Sequence, residues 1–488
     1  MRAFSDPGLL RLRTATVTMA ATLLSFGSVL ALKHAVGLTT SSVLLAVVLS
    51  LSLNRQHSDR RPRNVRLWLV APVLLPFLAV AAGEVGKRMF THPDLGDTLF
   101  VVGMAGAIWL RRFGEIGRVA GRLVSVTLTA TLITPGPVVP LGPSAPSRWW
   151  GAVVAVIAVA WVRLTWLLAE RSGMLPSTLV AAEPPAAPAR ARQAGAPWHR
   201  RLPASTKMAL QMAAGLTGAF AAGRAAFGIH WTWTVITAFI VSSGNRGRGD
   251  VAQKAVLRIG GALGGTLIAT AVANAFPPHD NWSVVTIFSV LALALWLRPI
   301  SYAFWAGGMT AALALLYGFY GERGAHLLFD RLEGILLGAV IAVAAAWLVL
   351  PIRNIDVIRR QLAIAFGEIA TRVSGDGPEA WFPPDSVATV RAAAHTAELT
   401  ASSVRWLRVL PARCRGGLPY AEATRAVAGC VSSLAALPGH RLPLSEEVRR
   451  QLTRDVTTAR RALTGDATEE QVAELPAVVR RIAAALGG

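Results

Sequence analysis

Residues 328 to 350 read LFDRLEGILLGAVIAVAAAWLVL, and no charge follows Glu333 within that run. A bilayer core about 30 Å thick is crossed by about 20 predominantly apolar residues in a helix. This stretch is therefore long enough to span one, with Asp330, Arg331 and Glu333 gathered at its start. Moving outward from it, eleven more runs of the same kind appear. They are Ala15 to Leu32, Gly37 to Leu53, Leu67 to Gly83, Leu95 to Leu110, Val119 to Ile133, Trp149 to Leu168, Met208 to Phe227, Trp231 to Ser243, Ala255 to Phe276, Trp282 to Leu297 and Tyr302 to Tyr320. The fourth and eighth are short, and the fifth has Arg122 near its start.

Composition agrees with that reading. Of the 488 residues 53% are hydrophobic and 16% charged, against about 25% charged in a typical soluble domain. The 49 basic and 27 acidic residues leave a formal charge of +22, which in a polar chain would point to nucleic acid. Its distribution says otherwise. Counted from an inside start, the loops on the inner side hold 23 basic against 6 acidic residues, and those on the outer side hold 7 of each. Cytoplasmic loops are the ones enriched in Lys and Arg. The excess is thus a topology signal, and the chain reads as a multi-pass plasma-membrane protein with both termini cytoplasmic, in contact with lipid and not with nucleic acid. The first run is long and leads directly into a second span, so it is not read as a cleaved signal peptide.

Beyond Pro351 no further span appears. Residues 353–488 repeat apolar side chains at helical spacing, as in Ile358, Leu362, Phe366, Ile369 and Val373, or Val448, Leu452, Val456 and Leu463. Thr468 with Gln471 has the form of a capping box opening the last helix. A cytoplasmic bundle of four to six helices is expected there. Cys414 and Cys430 are the only cysteines, so no disulfide framework is expected.

Short strings recur between the two parts of the membrane region. Asn54-Arg55 with Asp59 answers Asn245-Arg246 with Asp250, Trp109-Leu110-Arg111 answers Trp296-Leu297-Arg298, and His34 answers His230, at offsets of 191, 187 and 196 residues. The expectation is an all-α polytopic protein of about twelve transmembrane helices in two parallel six-helix repeats, related by an axis along the membrane normal. Its parts are a first half at 1–170, a Pro/Ala/Arg linker at 171–204 that includes Glu183 to Arg190 and Pro197, a second half at 205–352, and the helical domain at 353–488.

The second half also carries a recognisable order of residues. Lys207 in an opening helix is followed by Gly228-Ile229-His230-Trp231-Thr232-Trp233-Thr234, Arg258-Ile259-Gly260-Gly261-Ala262-Leu263-Gly264-Gly265, Tyr302, and Arg331-Leu332-Glu333-Gly334-Ile335-Leu336-Leu337-Gly338. This order resembles the fusaric acid resistance protein-like (FUSC) family, allied to aromatic acid exporters and more distantly to plant malate transporters. The resemblance covers about residues 203 to 352. It implies an inner-membrane transporter or efflux protein for aromatic or other organic anions, and a homodimer as in the plant relatives. The first half resembles a degenerate copy, in which His34 is followed by Ala35 and Val36 with no Trp. Some exporters of this group carry a long cytosolic domain between the halves, which this chain lacks.

An ionisable residue in a span is costly and is a functional candidate by default. The candidate substrate contacts are Arg258, Arg331, Lys207 and Trp231, and the candidate proton carriers are Glu333 and His230. Arg163 and Arg224 are weaker candidates of the same kind. Each has a structural counter-reading. Arg258 reads as an anion ligand or as a snorkelling interfacial side chain. Trp231 and Trp233 read as interfacial belt residues or as a platform for an aromatic cargo. Glu333 carries a coupling proton or neutralises a nearby Arg, and His230 titrates near neutral pH or serves the interface. Gly260, Gly261, Gly264 and Gly265 form two overlapping small-xxx-small pairs, read as packing surfaces. The Gly247 to Ala252 string follows no strand and is not a dinucleotide fingerprint. No Walker-type loop and no metal-ligand cluster is seen, so neither enzyme chemistry nor a cofactor is expected. Three functions stand open: an ion-gradient-driven exporter of organic anions, a passive anion channel, and a membrane anchor for the cytoplasmic helices.

Overall fold

A computed structural model describes residues 6, 9–38, 40–59, 65–133, 149–175, 202–273, 277–321, 325–375, 379–406 and 417–487. The linker around residues 183–197 and Cys414 lie outside them. The chain divides into two compact units. Among the described residues, Met1–Val180, Trp198–Ser243 and Lys254–Leu350 make up one, and Gly244–Gln253 with Pro351–Gly488 the other.

The first unit is helical throughout its described residues: α1 (Leu10–Val36), α2 (Thr40–Asp59), α3 (Val65–Thr91), α4 (Pro93–Trp109), α5 (Gly114–Ile133), α6 (Trp150–Arg171), α7 (Ala204–Phe227), α8 (Thr232–Ser242), α9 (Arg248–Ala273), α10 (Asn281–Leu297), α11 (Tyr302–Phe319) and α12 (Ala325–Leu348). Six of these, α1, α6, α7, α9, α11 and α12, are long and apolar enough to cross a membrane by length and composition, and α2, α8 and α10 are shorter apolar helices. Several hydroxyls within the first apolar helix are satisfied locally. In α1, Thr14, Thr18, Thr22 and Ser25 each donate to the carbonyl four residues earlier at 2.8 Å, which leaves no donor facing hydrocarbon.

Part of the neighbour order in α1–α6 recurs in α7–α12 among the described residues. Helices α1, α2 and α6 pack mutually, as do α7, α8 and α12, and α4 lies on α5 as α10 lies on α11. Contacts between the groups among the described residues include α4 on α7, α1 on α10 and α5 on α8. The first two each hold an edge-to-face phenylalanine pair: Phe100 with Phe220 at 5.7 Å and Phe26 with Phe288 at 4.9 Å between ring centroids. Phe26 and Phe220 are 194 residues apart and Phe100 and Phe288 are 188 apart. Those offsets fall among the ones read from the loops.

Glycines set the closest approaches. A Cβ at Gly261 would stand 2.4 Å from the Ala303 carbonyl oxygen, and one at Gly265 would stand 2.1 Å from that of Gly307. These two therefore bring α9 flush onto α11, running parallel to it. Gly260 and Gly264 have nothing within 4 Å. Of the two overlapping pairs, one packs and the other does not.

The second unit contains α13 (Asn354–Val373), α14 (Pro384–Trp406), α15 (Leu418–Ala436), α16 (Glu446–Ala462) and α17 (Glu469–Gly487), with an antiparallel pair of three-residue strands, β1 (Glu379–Trp381) and β2 (Arg441–Pro443). Ile358, Leu362, Phe366, Ile369 and Val373 lie in its core, as their spacing predicts. The capping box forms: Gln471 N–H donates to Thr468 Oγ1 at 3.3 Å, and Thr468 N–H donates to Gln471 Oε1 at 3.1 Å. Val448, by contrast, is exposed. A structural addition joins this unit. The loop Gly244–Gln253, placed by sequence in the second membrane half, is held by the tail. Asn354 accepts from Gly249 N–H at 2.8 Å and donates to Asp250 Oδ1 at 2.8 Å and Ser403 Oγ at 2.7 Å. Arg248 N–H donates to the Ile352 carbonyl at 2.9 Å. A Cβ at Gly247 would meet Asn354 Oδ1 at 2.4 Å, so these glycines serve close packing of the Asn side chain and not a nucleotide. Asn54, the counterpart of Asn245 in the first half, accepts from Trp166 Nε1 at 2.7 Å and donates to the Ser50 carbonyl.

Candidate functional site

The site builds up from α8. It has 11 residues, a length of about 16 Å or half a hydrocarbon core. Trp233 through Ala238 and Val241 are all buried, the pattern of a helix enclosed on every side. Helix α12 lies flush on it because Gly334 and Gly338 present no side chain: a Cβ at Gly338 would meet the Thr234 carbonyl oxygen at 2.3 Å, and one at Gly334 would meet Trp233 Cβ at 3.1 Å. One turn before Gly334, Arg331 is carried over the Trp233 ring, 4.5 Å from its centroid, and stands 5.4 Å from the centroid of Tyr317 on α11. A guanidinium between two ring faces is held by cation–π attraction. Arg331 is 3% exposed. Thr234 and Thr237, on the same short helix, are buried hydroxyls with no hydrogen-bond partner among the described residues.

Arg258 occupies a second position. It lies on α9 one turn before Gly261, whose close contact fixes α9 against the first residues of α11. Its side chain is 1% exposed, and Nε and Nη2 find no hydrogen-bond partner among the described residues. Tyr302 is the neighbouring titratable group. Lys254, one turn earlier on α9, donates to the Ser243 carbonyl at the end of α8 at 2.6 Å and lies 5.6 Å from the Tyr302 centroid. It closes a helix C-terminus, a place that favours a cation.

Arg258 and Arg331 are not brought together. Their ring neighbours Tyr302 and Tyr317 are fifteen residues apart on one helix, a separation of about 22 Å along its axis. No small anion touches both at once.

The other candidates fall as follows. Lys207 is half-buried in the first turn of α7, and Glu333 is exposed on α12, turned away from the face that carries Arg331. His230 is half-buried in the turn between α7 and α8. Arg163 is half-buried on α6. Trp231 and Trp233 are 2% and 5% exposed, inside the bundle and not on its lipid-facing surface. Trp231 is enclosed by Phe220 at 5.3 Å and Phe90 at 5.9 Å, with the Arg224 guanidinium 4.4 Å from its ring centroid.

Arg224 itself makes the firmest polar contact between the two helical groups. Its Nε and Nη2 donate to Asp97 Oδ2 and Oδ1 at 2.6 and 2.7 Å, and Nη2 also donates to the Met89 carbonyl at 2.8 Å. Sequence reading found Arg224 but did not single out Asp97, which lies near the start of the fourth apolar run. Tyr317 was also missed, although three of the four tyrosines lie on α11 or at its end. No group of three or more His, Cys, Asp or Glu with metal-binding geometry occurs among the described residues.

Comparison with known proteins matches residues 213–345 to the family described as fusaric acid resistance protein-like. The match begins within α7 and ends within α12, and contains Arg224, Trp231, Trp233, Arg258, Tyr302, Tyr317 and Arg331. No solved structure matches the chain.

Proposed function

Starting from the membership of residues 213–345 in the fusaric acid resistance protein-like family, we propose that this protein exports small organic anions, aromatic carboxylates among them, across the plasma membrane at the expense of an ion gradient. That the chain is a multi-pass membrane protein of the transporter or resistance kind rests on the family match and on the apolar helices. The finer reading has twelve spans in two parallel six-helix halves with both termini cytoplasmic. It is supported by the charge alternation of the loops and by the recurrence of helix neighbours at the same sequence offsets.

The observation that carries the anion reading is Arg258. Burying a cation leaves two desolvated donor atoms without acceptors, a cost proteins seldom carry in structural positions. An anion arriving beside it supplies the acceptors. Arg331 on α12, beside Tyr317 and so about 22 Å along the α11 axis from Tyr302, is a second station. Trp233 and Tyr317 there offer ring faces to an aromatic cargo. Transit is then sequential, with one carboxylate bound at one Arg at a time.

The test is flux of labelled benzoate-type and aliphatic carboxylates in proteoliposomes. Arg258→Gln removes a charged hydrogen-bond donor worth about 1.5 to 3 kcal/mol, which lowers flux roughly 10- to 100-fold, and Arg258→Lys retains part of it. Normal flux in both Arg258→Gln and Arg331→Gln overturns the assignment.

A further inference from the structure

Two of the contacts that join the helical groups, α4–α7 and α1–α10, each hold a phenylalanine pair and differ in their charge. The paired rings are related by offsets of 194 and 188 residues. The same offsets carry Arg224 onto Leu30, and Asp97 onto Val285, which is 52% exposed. Phe90 falls onto Pro278, and Trp231, at the offset of the histidines, onto Ala35. The Arg224–Asp97 pair therefore has no equivalent at the matching positions of the α1–α10 contact, where both residues are apolar. A paired charge confined to one of two equivalent contacts has a task beyond adhesion.

We propose that Asp97 is the site of the coupling proton and that Asp97 with Arg224 forms the gate at the end of the bundle marked by the α3–α4 and α7–α8 turns. This deepens the transport reading above and rests on it for its purpose. The pair is bidentate, and the Asp97 side chain is 15% exposed, that of Arg224 27%, near enough to water for protons to reach it. Uptake of one proton converts the Asp97 carboxylate to a neutral carboxyl. The charge attraction to Arg224 is lost and one acceptor oxygen becomes a donor. Arg224 keeps its charge, its bond to the Met89 carbonyl and its place on the Trp231 ring. The first group of helices is then free to part from the second at this end, while the phenylalanine pair of the α1–α10 contact remains.

The charged groups around Asp97 make it the natural receiver. On α7, Arg224 alone supplies both hydrogen bonds to its carboxylate among the described residues. On α3, Lys87 and Arg88 are exposed and Glu84 is half-buried. On α4 itself His92 and Asp94 are exposed, and His230 lies in the nearby turn. Arg118 and Arg122 of α5 are at the far end of that helix, since Gly121 packs on Ala107 and Gly103 on Leu128. Glu333 is exposed on α12.

The experiment measures the gate and not the cargo. Spin labels at Leu95→Cys and Ile229→Cys, both exposed positions flanking the pair, are placed in Cys414→Ser protein in nanodiscs. Their distance distribution is followed by double electron–electron resonance from pH 8 to pH 5. The wild-type background should show a short distance at pH 8 and a growing longer one as pH falls, the ratio changing by up to about tenfold per pH unit for one proton. Asp97→Asn should show the longer distance at every pH, and Asp97→Glu should restore the pH dependence. A ratio that ignores pH in the wild-type background overturns the proposal, as does an Asp97→Asn protein that still follows pH. Should Asp97→Asn not fold, the same comparison is made with Arg224→Gln, which must also lose the pH response. No carboxylate is present, so failure of anion flux leaves this result standing. Vigorous flux with a pH-independent distance removes the gate alone.

Discussion

Substituting Gly265 and Gly264 separately by Ala places the same methyl group one residue apart on α9 and should give opposite results. At Gly265 the new Cβ would stand 2.1 Å from the Gly307 oxygen, 2.8 Å from its carbonyl carbon and 2.9 Å from its Cα. Carbon and oxygen in ordinary contact are about 3.5 Å apart, so the two backbones must separate by roughly 1 Å. No flexible side chain is there to yield, because the atoms met are all main chain of Gly307. Overpacking of this kind costs about 1 to 3 kcal/mol, and Ala returns up to about 1 kcal/mol through its better helix propensity. Gly265→Ala should therefore destabilise by about 1 to 2 kcal/mol. Gly264→Ala meets nothing within 4 Å and keeps only the propensity gain. Scanning fluorimetry and heated size-exclusion chromatography of detergent-purified protein resolve a gap of 2 kcal/mol. Equal melting of the two variants, or a Gly264→Ala protein weaker than Gly265→Ala, would refute the claim that the glycine backbone contact seats α9 on α11.

Two other outcomes follow from the second unit. Asn354→Ala removes three hydrogen bonds from a side chain that is 6% exposed; unfolding by denaturant should show a loss of about 2 to 3 kcal/mol, and a loss under 0.5 kcal/mol would mean the clamp is dispensable. Burial pushes the Cys430 thiol up to about 12 from its ordinary 9.0, so the folded state retains a proton that the unfolded chain releases. Stability from this group is complete below pH 9 and declines as pH rises toward 12, by about 1.4 kcal/mol per unit. Pulse proteolysis of the full chain at pH 8 and pH 10 should show that slope in the wild type, and Cys430→Ala should lack it.

Much of the architecture was legible because it depends on local pattern. The apolar runs, the core face of α13 and the Thr468–Gln471 cap each follow from spacing within one element. What escaped depends on partners far away in the chain. Asp97 and Arg224 are 127 residues apart, and nothing in either helix marks the other. Four glycines in α9 look equivalent in sequence, and only the position of α11 selects Gly261 and Gly265. Trp231 and Trp233 suited a lipid interface by composition, yet the short α8 and the glycines of α12 draw them inward. The strands β1 and β2 are three residues each, too short for an alternation to be seen. Arg258 and Arg331 were legible as ionisable residues in or near spans, but their burial and separation required the helices, with Tyr302 and Tyr317 on one of them, to be placed.

The Asn354 clamp also has a bearing on biosynthesis. Gly249 leaves the ribosome 105 residues before the Asn354 that accepts its N–H. At about 5 to 20 residues per second that interval is on the order of 5 to 20 s, during which Gly249 and Asp250 have been made and their partner has not. The connection between α8 and α9 is completed only after the first turn of α13 has been translated. A chain shortened at residue 353 would therefore emerge with that connection permanently unfinished, and its phenotype would report on the maturation of the membrane helices as well as on the missing domain. Separating the two requires the domain to be supplied in trans, or the cut to be made after α13.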